Sequence, residues 1–373
     1  MRVGINLLYL IPSQVGGVER YAAGLLEGLA KLDYANEYIV FVNQEGTDWP
    51  IPDLPNFKRI VCPVRAVSRL RRYFFEQFKL PALLELYNIE LVHSLCYVSP
   101  LRVSLPSVVT IHDLNHKAFG QLMPITKRLA LSFFVRQSAL RATQVITDSE
   151  FSYQEILNAY QIPPQKLQVL YPGLPNKTII NKENANLWTD LKIVPPYIIA
   201  FSSPTPNKNI DRLIQAFLLA QKKYELPHQL VLVGHLPEPL LHNESALGSI
   251  RATGYLEDAI LDQVLTQAHC LVFPSIYEGF GLPVLEAMNA GVPVISSFAG
   301  SLPEVAGDAA LYFDPYDVEE IAAKIAEVAM DKSLQQELRL RGKRNATRFS
   351  WEKMAHETVA VYKQATSQFT PNI

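Results

Sequence analysis

The sequence predicts an α/β protein built from two Rossmann-like αβα domains, and three observations carry that prediction. Short apolar runs alternate with longer segments of helical periodicity along the whole chain. The runs are apolar throughout rather than every second residue, the mark of parallel strands covered on both faces. The alternation stops in a stretch rich in Pro, Asn and charge at 170–196 and then starts again. A length of 373 residues fits two domains of ~100–200 residues each.

In the first half, VGINLL (3–8), YIVFV (38–42), LVHSL (91–95), SVVTI (107–111) and QVITD (144–148) read as strands. Between them VERYAAGLLEGLAKL (18–32) and the segment 126–141 read as amphipathic helices. After the break come YIIAF (197–201), LVLVG (230–234), IRATG (250–254), CLVFP (270–274) and VPVIS (292–296). Helices are expected at 209–224 and 259–268. The stretch 170–196 reads as the linker between two domains that face each other across a cleft. In open parallel sheets ligands bind beyond the carboxyl ends of the strands, so the informative residues should follow the strands.

Composition excludes several classes. At 49% hydrophobic the chain has material for two cores and is too apolar for disorder. With 34 Lys+Arg against 36 Asp+Glu the net charge of −2 argues against general nucleic-acid binding. Cys62, Cys96 and Cys270 are far apart with no CxxC pair, which disfavours a disulfide framework or a structural zinc. The opening VGINLLYLI is too short for a membrane helix and lacks a small-residue cleavage site. N-x-S/T triplets start at Asn176, Asn243 and Asn345, but have meaning as glycosylation sites only in an exported chain. A cytoplasmic protein is expected. No G-x-G-x-x-G follows a strand, which argues against a nicotinamide dehydrogenase. The absence of any D-x-D triplet argues against a carboxylate-held divalent metal.

The most informative stretch is CLVFPSIYEGFGLPVLEAMNAGVPVIS (270–296). A strand stops at Pro274, and a loop carries Glu278 and the turn Gly279-Phe280-Gly281. Pro283 suits the first turn of a helix and Gly291 its end, so a helix is expected over 283–290. Its N-terminus offers unsatisfied N–H groups and partial positive charge, which together bind anions. Glu278 precedes the helix and Glu286 lies one turn inside it; carboxylates there suit hydroxyl groups rather than phosphate. As a lone pair, two glutamates eight positions apart would read as an ordinary loop and helix. Gly16-Gly17, ahead of helix 18–32, form a second close-approach point at a helix start. In TIHDLNH, His112 and His116 have the spacing of helical zinc ligands. The preceding strand, Asp113 where a zinc protease has Glu, and the lack of a third ligand weigh against zinc.

The string YEGFGLPVLEAMNAGVPVI closely resembles the signature of the family 4 glycosyltransferases, retaining enzymes of the GT-B fold. SLPEVAGDAALYFDP (301–315), FSWEKMAHETVAVYKQA (349–365), TIHDL (110–114) and ITDSEFSYQEI (146–156) resemble the branch containing bacterial mannosyltransferases of polysaccharide assembly. The resemblance implies that Glu286 holds the ribose of a nucleotide sugar and that Glu278 binds the transferred sugar. It implies that the N–H groups of Phe280, Gly281 and Leu282 face the sugar and the diphosphate, with Lys208 adding charge. Where the family commonly has a second basic residue this chain has Asn207, counted with the donor-binding residues. Ser202 stands where many members have Arg. Gly16 and Gly17 would border donor and acceptor, His112 would lie near the transferred sugar, and Tyr255 and Leu256 near the base.

The resemblance further implies transfer of a hexose, with mannose from GDP-mannose favoured, to a glycan or lipid-linked acceptor without metal or cofactor. A UDP-sugar enzyme and a non-catalytic nucleotide-sugar binding protein are the alternatives. The expected domains are 1–172 on the acceptor side and 173–355 on the donor side, with a terminal helix over 356–373 packing back on the first. Finally, RAVSRLRRYFFEQFKLPALL (65–84) interleaves basic and aromatic residues. It reads either as a helix lying on an anionic membrane at the inner face of the cytoplasmic membrane, or as a helix with its aromatics packed inward.

Overall fold

The computed structural model describes residues 1–14, 16–174, 187–234 and 248–370. They form two compact units, one of Met1–Pro175 with Phe349–Ile373 and one of Asn176–Arg348. Each unit has a parallel sheet flanked by helices.

In the first unit the strands are β1 (Arg2–Leu7), β2 (Glu37–Val42), β3 (Phe57–Val61), β4 (Leu91–Ser94), β5 (Ser107–Thr110), β6 (Gln144–Thr147) and β7 (Leu167–Val169). Their order is β3-β2-β1-β4-β5-β6-β7, so the direction of winding reverses between β1 and β4. The helices are α1 (Gly17–Leu32), α2 (Arg69–Phe78), α3 (Leu80–Leu86), α4 (Asn115–Ala118), α5 (Ile125–Arg141) and α6 (Glu150–Tyr160). Val3, Ile5, Val40, Leu91 and Val108 are fully buried, as strands covered on both faces require.

In the second unit α7 (Leu187–Leu191) precedes β8 (Tyr197–Ser202), α8 (Ile210–Tyr224), β9 (Gln229–Gly234), β10 (Ile250–Gly254), α9 (Asp258–Thr266) and β11 (Cys270–Phe273). Then follow α10 (Leu282–Ala290), β12 (Val294–Ser297), α11 (Leu302–Ala306), β13 (Ala310–Phe313), α12 (Val318–Met330) and α13 (Lys332–Ala346). The order β10-β9-β8-β11-β12-β13 puts the reversal between β8 and β11.

The last helix, α14 (Trp351–Gln368), packs on α1 of the first unit. Two glycines a turn apart make the notch for it. A Cβ on Gly24 would stand 2.0 Å from Cε2 of Trp351, and one on Gly28 would stand 2.5 Å from the Trp351 carbonyl oxygen. Residues 349–355, assigned from sequence to the second domain, therefore belong to the first.

Two other expectations are corrected. The segment 65–84 is not one helix: α2 ends at Phe78 and α3 starts beside Pro81, which lacks the N–H needed to continue the first. Nor is α5 amphipathic, since it buries Val135 and Ala139 yet turns Ile125, Leu129 and Phe133 to solvent. Residues 175–186 of the expected linker lie outside the described residues, as do Val15, 371–373 and the triplets starting at Asn176 and Asn243. Asn345 is buried and donates its amide to the Val305 carbonyl at 2.8 Å.

Candidate active site

The reversal point of the second sheet gathers the strongest site features. β8 and β11 are neighbours, so the loops leaving their carboxyl ends start side by side. The first carries Lys208 and the second Glu278, and Lys208 Nζ donates to Glu278 Oε1 at 2.6 Å. Both side chains are largely buried, and Nζ also lies 5.2 Å from the centre of the Phe273 ring. Lysine has three donor hydrogens, so two remain for oxygens of a ligand.

Asn207 locks these loops together. Its Nδ2 donates to the Tyr277 carbonyl at 3.2 Å, and its own carbonyl accepts from the Ile276 N–H at 2.8 Å. The side chain is buried in that tie, so it positions the Lys208–Glu278 pair. Asn209, in the left-handed region, extends the fastening: its amide donates to the carbonyls of Pro274 at 3.1 Å and Pro315 at 2.7 Å.

The loop after Glu278 runs directly into α10. Gly281 caps it at φ +103°, where an L side chain would be strained, and a Cβ there would stand 2.7 Å from Leu302 Cδ2. Leu282 is the first helical residue and no side chain caps the turn. The start of α10 is thus built as an anion-favouring terminus directly after Glu278. Glu286 follows one turn inside and is half-buried. Phe280 is buried.

Sequence reasoning missed Ser301. Its hydroxyl lies 2.8 Å from the Phe280 carbonyl and 3.1 Å from that of Glu278, its one hydrogen serving either, and its N–H donates to the Glu278 carbonyl at 3.2 Å. Gly300 before it has φ +59°, and a Cβ there would come within 2.6 Å of the Glu278 carbonyl oxygen. The signal was the Gly-Ser in the loop that follows the strand next to CLVFP.

Other expected residues are placed apart from the pair. Tyr255 and Leu256 follow edge strand β10, with β9 between it and β8; Tyr255 is exposed and Leu256 buried. Ser202 is buried at the end of β8, its carbonyl covered by Gly234. A cavity of about 570 Å³ opens at the ends of β11–β13, lined by Ile276, Phe298, Tyr312, Asp314, Tyr316 and Glu320 among others. None of the expected site residues lines it.

In the first unit Gly16 caps α1 with φ +52°, and its carbonyl accepts from the N–H groups of Glu19 and Arg20. Gly17 is the first helical residue, and a Cβ on either glycine would meet nothing within 4 Å. His112 lies two residues beyond β5. Its Nδ1 faces Asp148 Oδ2 at 2.7 Å and its Nε2 the Leu95 carbonyl at 2.9 Å. A carbonyl only accepts, so Nε2 carries a proton, and the carboxylate at Nδ1 favours a second one there. Burial alone would lower its pKa, but the charge and hydrogen bond of Asp148 outweigh burial and raise it. Neither ring nitrogen is left for a zinc ion or a sugar hydroxyl without breaking one of these bonds. Behind it, His93 Nδ1 contacts Tyr362 Oη at 2.8 Å and Nε2 contacts Thr110 Oγ1 at 2.9 Å. Burial, with the His112 charge second, pushes the His93 pKa down to about 3. Among the described residues no group of three or more His, Cys, Asp or Glu is arranged to hold a metal.

Comparison with known proteins adds to this geometry. Residues 15–176 match the family profile described as Glycosyltransferase Family 4, and residues 191–365 match that of Glycosyl transferases group 1. The chain is 32% identical over 272 residues to the O-antigen chain mannosyltransferase B of Escherichia coli, across 69% of this chain and 70% of that one. It is 30% identical over 242 residues to the MMP alpha-(1->4)-mannosyltransferase of Mycolicibacterium hassiacum, across 62% of this chain and 57% of that one. Sucrose-phosphate synthase from Thermosynechococcus elongatus, a solved structure, has the same fold. Its TM-score is 0.77 at 21% identity, covering 99% of this chain and 100% of that one. With both sheets wound alike and both profiles matched in succession, the chain belongs to the family 4 glycosyltransferases and has the GT-B fold.

Proposed function

We propose that this glycosyltransferase moves mannose from GDP-mannose, with retention of anomeric configuration, onto a glycan or lipid-linked sugar in polysaccharide or glycolipid assembly. The observation that carries the reading is the Lys208–Glu278 pair beside the start of α10. A nucleoside diphosphate leaving group needs positive potential aimed at its developing charge, and Lys208 and the first-turn amides supply it without a metal. Glu278 stands opposite the growing positive charge of the sugar ring, and Glu286 accepts from the ribose hydroxyls.

In this scheme the bond from the sugar's anomeric carbon to the diphosphate breaks as the acceptor oxygen forms its bond on the same face. The acceptor proton passes to the departing diphosphate oxygen. His112, with both ring nitrogens engaged, serves as a fixed positive charge rather than a proton carrier. The similarity to mannosyltransferases supports mannose, and through it GDP as the carrier. None of the described helices is long and apolar enough to cross a membrane.

The test is a donor panel of GDP-, UDP- and ADP-sugars in thermal-shift assays. A ligand at ~100 times its dissociation constant adds about 2.7 kcal/mol of stability. Product analysis by NMR follows, with and without a chelator. Stabilisation by UDP-sugars alone would overturn the donor, an inverted product the stereochemistry, and loss of transfer on chelation the metal independence. Binding without transfer to any acceptor would favour a non-catalytic nucleotide-sugar binding protein.

A further inference from the structure

We propose that the cavity at the ends of β11–β13 is a second carbohydrate site, one that holds neutral sugar residues of a glycan chain. Its frame is rigid. β12 and β13 pair in parallel, and the Phe298 N–H just beyond β12 donates to the Phe313 carbonyl at 3.0 Å. Tyr312 Oη donates to the Gly307 carbonyl at 2.8 Å, which fixes the outer end of its ring. On this frame stand Phe298 and Tyr316, 67% and 60% exposed. The Phe298 ring meets the Tyr312 ring edge to face, with centres 5.5 Å apart. A single exposed ring needs no explanation, but three rings lining one cavity of about 570 Å³ do. That volume lies within the range of small-molecule sites.

Charge and ring chemistry together identify the ligand. The charged side chains lining the cavity are Asp314 and Glu320, and among the described residues no lysine or arginine joins them. A phosphate or a nucleotide would therefore meet repulsion there. Asp314 accepts from the Tyr316 N–H at 2.8 Å, and Glu320 from the Asp314 N–H at 2.9 Å. These bonds hold the carboxylates in place and leave each with acceptor capacity, since an ionised carboxylate offers about four lone-pair sites. A sugar answers both features: its C–H face lies on a ring while its hydroxyls donate to carboxylates. A cationic ligand fits less well, because the Arg212 guanidinium already lies 5.1 Å from the centre of the Tyr316 ring. The cavity is also tied to the transfer site within the same unit. Ile276 lines it two residues before Glu278, and Asn209, next to Lys208, donates to the Pro315 carbonyl at 2.7 Å. That the occupant is the glycan under extension rests on the proposed transfer to a glycan; that it is a neutral saccharide rests on the cavity alone.

The experiment is saturation-transfer NMR titration of the full chain, without any donor, with mannotetraose, maltotetraose and cellotetraose. At least one should bind. Phe298→Ala and Tyr316→Ala should each weaken that binding by about tenfold, while Phe298→Tyr, which keeps a ring, should retain it. Glu320→Gln should weaken it by about tenfold as well, through loss of a charged acceptor. Phe298 and Tyr316 are exposed, and thermal melts confirm that each variant is folded. Binding with this pattern in a chain that transfers to no glycan would uphold the site and overturn only the proposed transfer. No binding of any of the three saccharides, or binding indifferent to Phe298→Ala and Tyr316→Ala, would overturn the site. So would tetramethylammonium binding in their place and weakened by the same substitutions, which would make the cavity a cation cage.

Discussion

Lys208 and Glu278 are 70 positions apart in the chain and 2.6 Å apart in space. The sheet brings them together: β8 and β11 pair in parallel at the winding reversal, and each residue follows its own strand by a few positions. Two loops that leave in opposite directions can meet there only at their roots, which is where these side chains sit.

Because the pair acts as a unit, its loss should be non-additive. Lys208→Ala should lower turnover by ~10²–10³, as removal of a preorganised charge stabiliser does. Glu278→Gln should also lower turnover while sparing nucleotide affinity. The double variant should cost less than the product of the two single effects, because each single change already breaks the pair. Steady-state kinetics on the three variants decide it; a raised Michaelis constant at unchanged turnover would make either residue a ground-state binding group.

Glu286→Ala should weaken free nucleoside diphosphate by ~1.5–3 kcal/mol, the loss of hydrogen bonds to a charged acceptor. Calorimetric titration measures it, and unchanged affinity would remove the ribose role.

The buried histidines give the stability a pH signature with two opposing parts. His93 has a depressed folded pKa, so only the unfolded chain takes up its proton between about pH 6.5 and 3. Stability therefore falls as pH drops through that window, by about 1.4 kcal/mol per pH unit for this one group. His116, pushed down to about 4 mainly by burial, adds to the loss. His112 has a raised folded pKa, so its contribution is full below the unfolded value of about 6.5 and is lost as pH rises through the folded one. Melts across this range should steepen on the acid side in the wild type and flatten in His93→Gln. An NMR spectrum at neutral pH should show His112 protonated on both nitrogens and His93 neutral.

Gly24→Ala should destabilise the first unit by about 1–3 kcal/mol through overpacking against Trp351. The ~1 kcal/mol that alanine gains in helix propensity is too small to reverse the sign. Urea unfolding would show the loss, and Trp351→Leu in the same chain should recover part of it.

Most of the architecture was legible because central parallel strands are apolar from end to end: YIVFV, SVVTI and YIIAF stand out from their surroundings. The three strands that were not read, FKRIV, LQV and ALYF, are β3, β7 and β13, each at the edge of its sheet. An edge strand is covered on fewer sides, and Lys58, Arg59 and Gln168 interrupt the apolar signal. The helix after Glu278 was legible from Pro283 and Gly291 because their backbone constraints are local. Ser301, Asp148 and the Leu95 carbonyl were not, because their roles depend on which strands become neighbours. The register that places Thr110 against Ile146 is what brings His112 to Asp148 two residues further on. The outward stripe of α5 was hidden by its inward one, since a helix apolar on two faces has a weak periodic signal.

The notch at Gly24 and Gly28 also sets an order of events during synthesis. The groove on α1 is made within the first 32 residues, but Trp351 and the helix that fill it leave the ribosome only after the whole second unit has been made. Until then Tyr21 lacks the ring of Trp351 against its own, and His93 lacks the hydroxyl of Tyr362. The unit translated first is thus the one completed last, and the second unit, continuous in sequence, is free to fold while its predecessor waits.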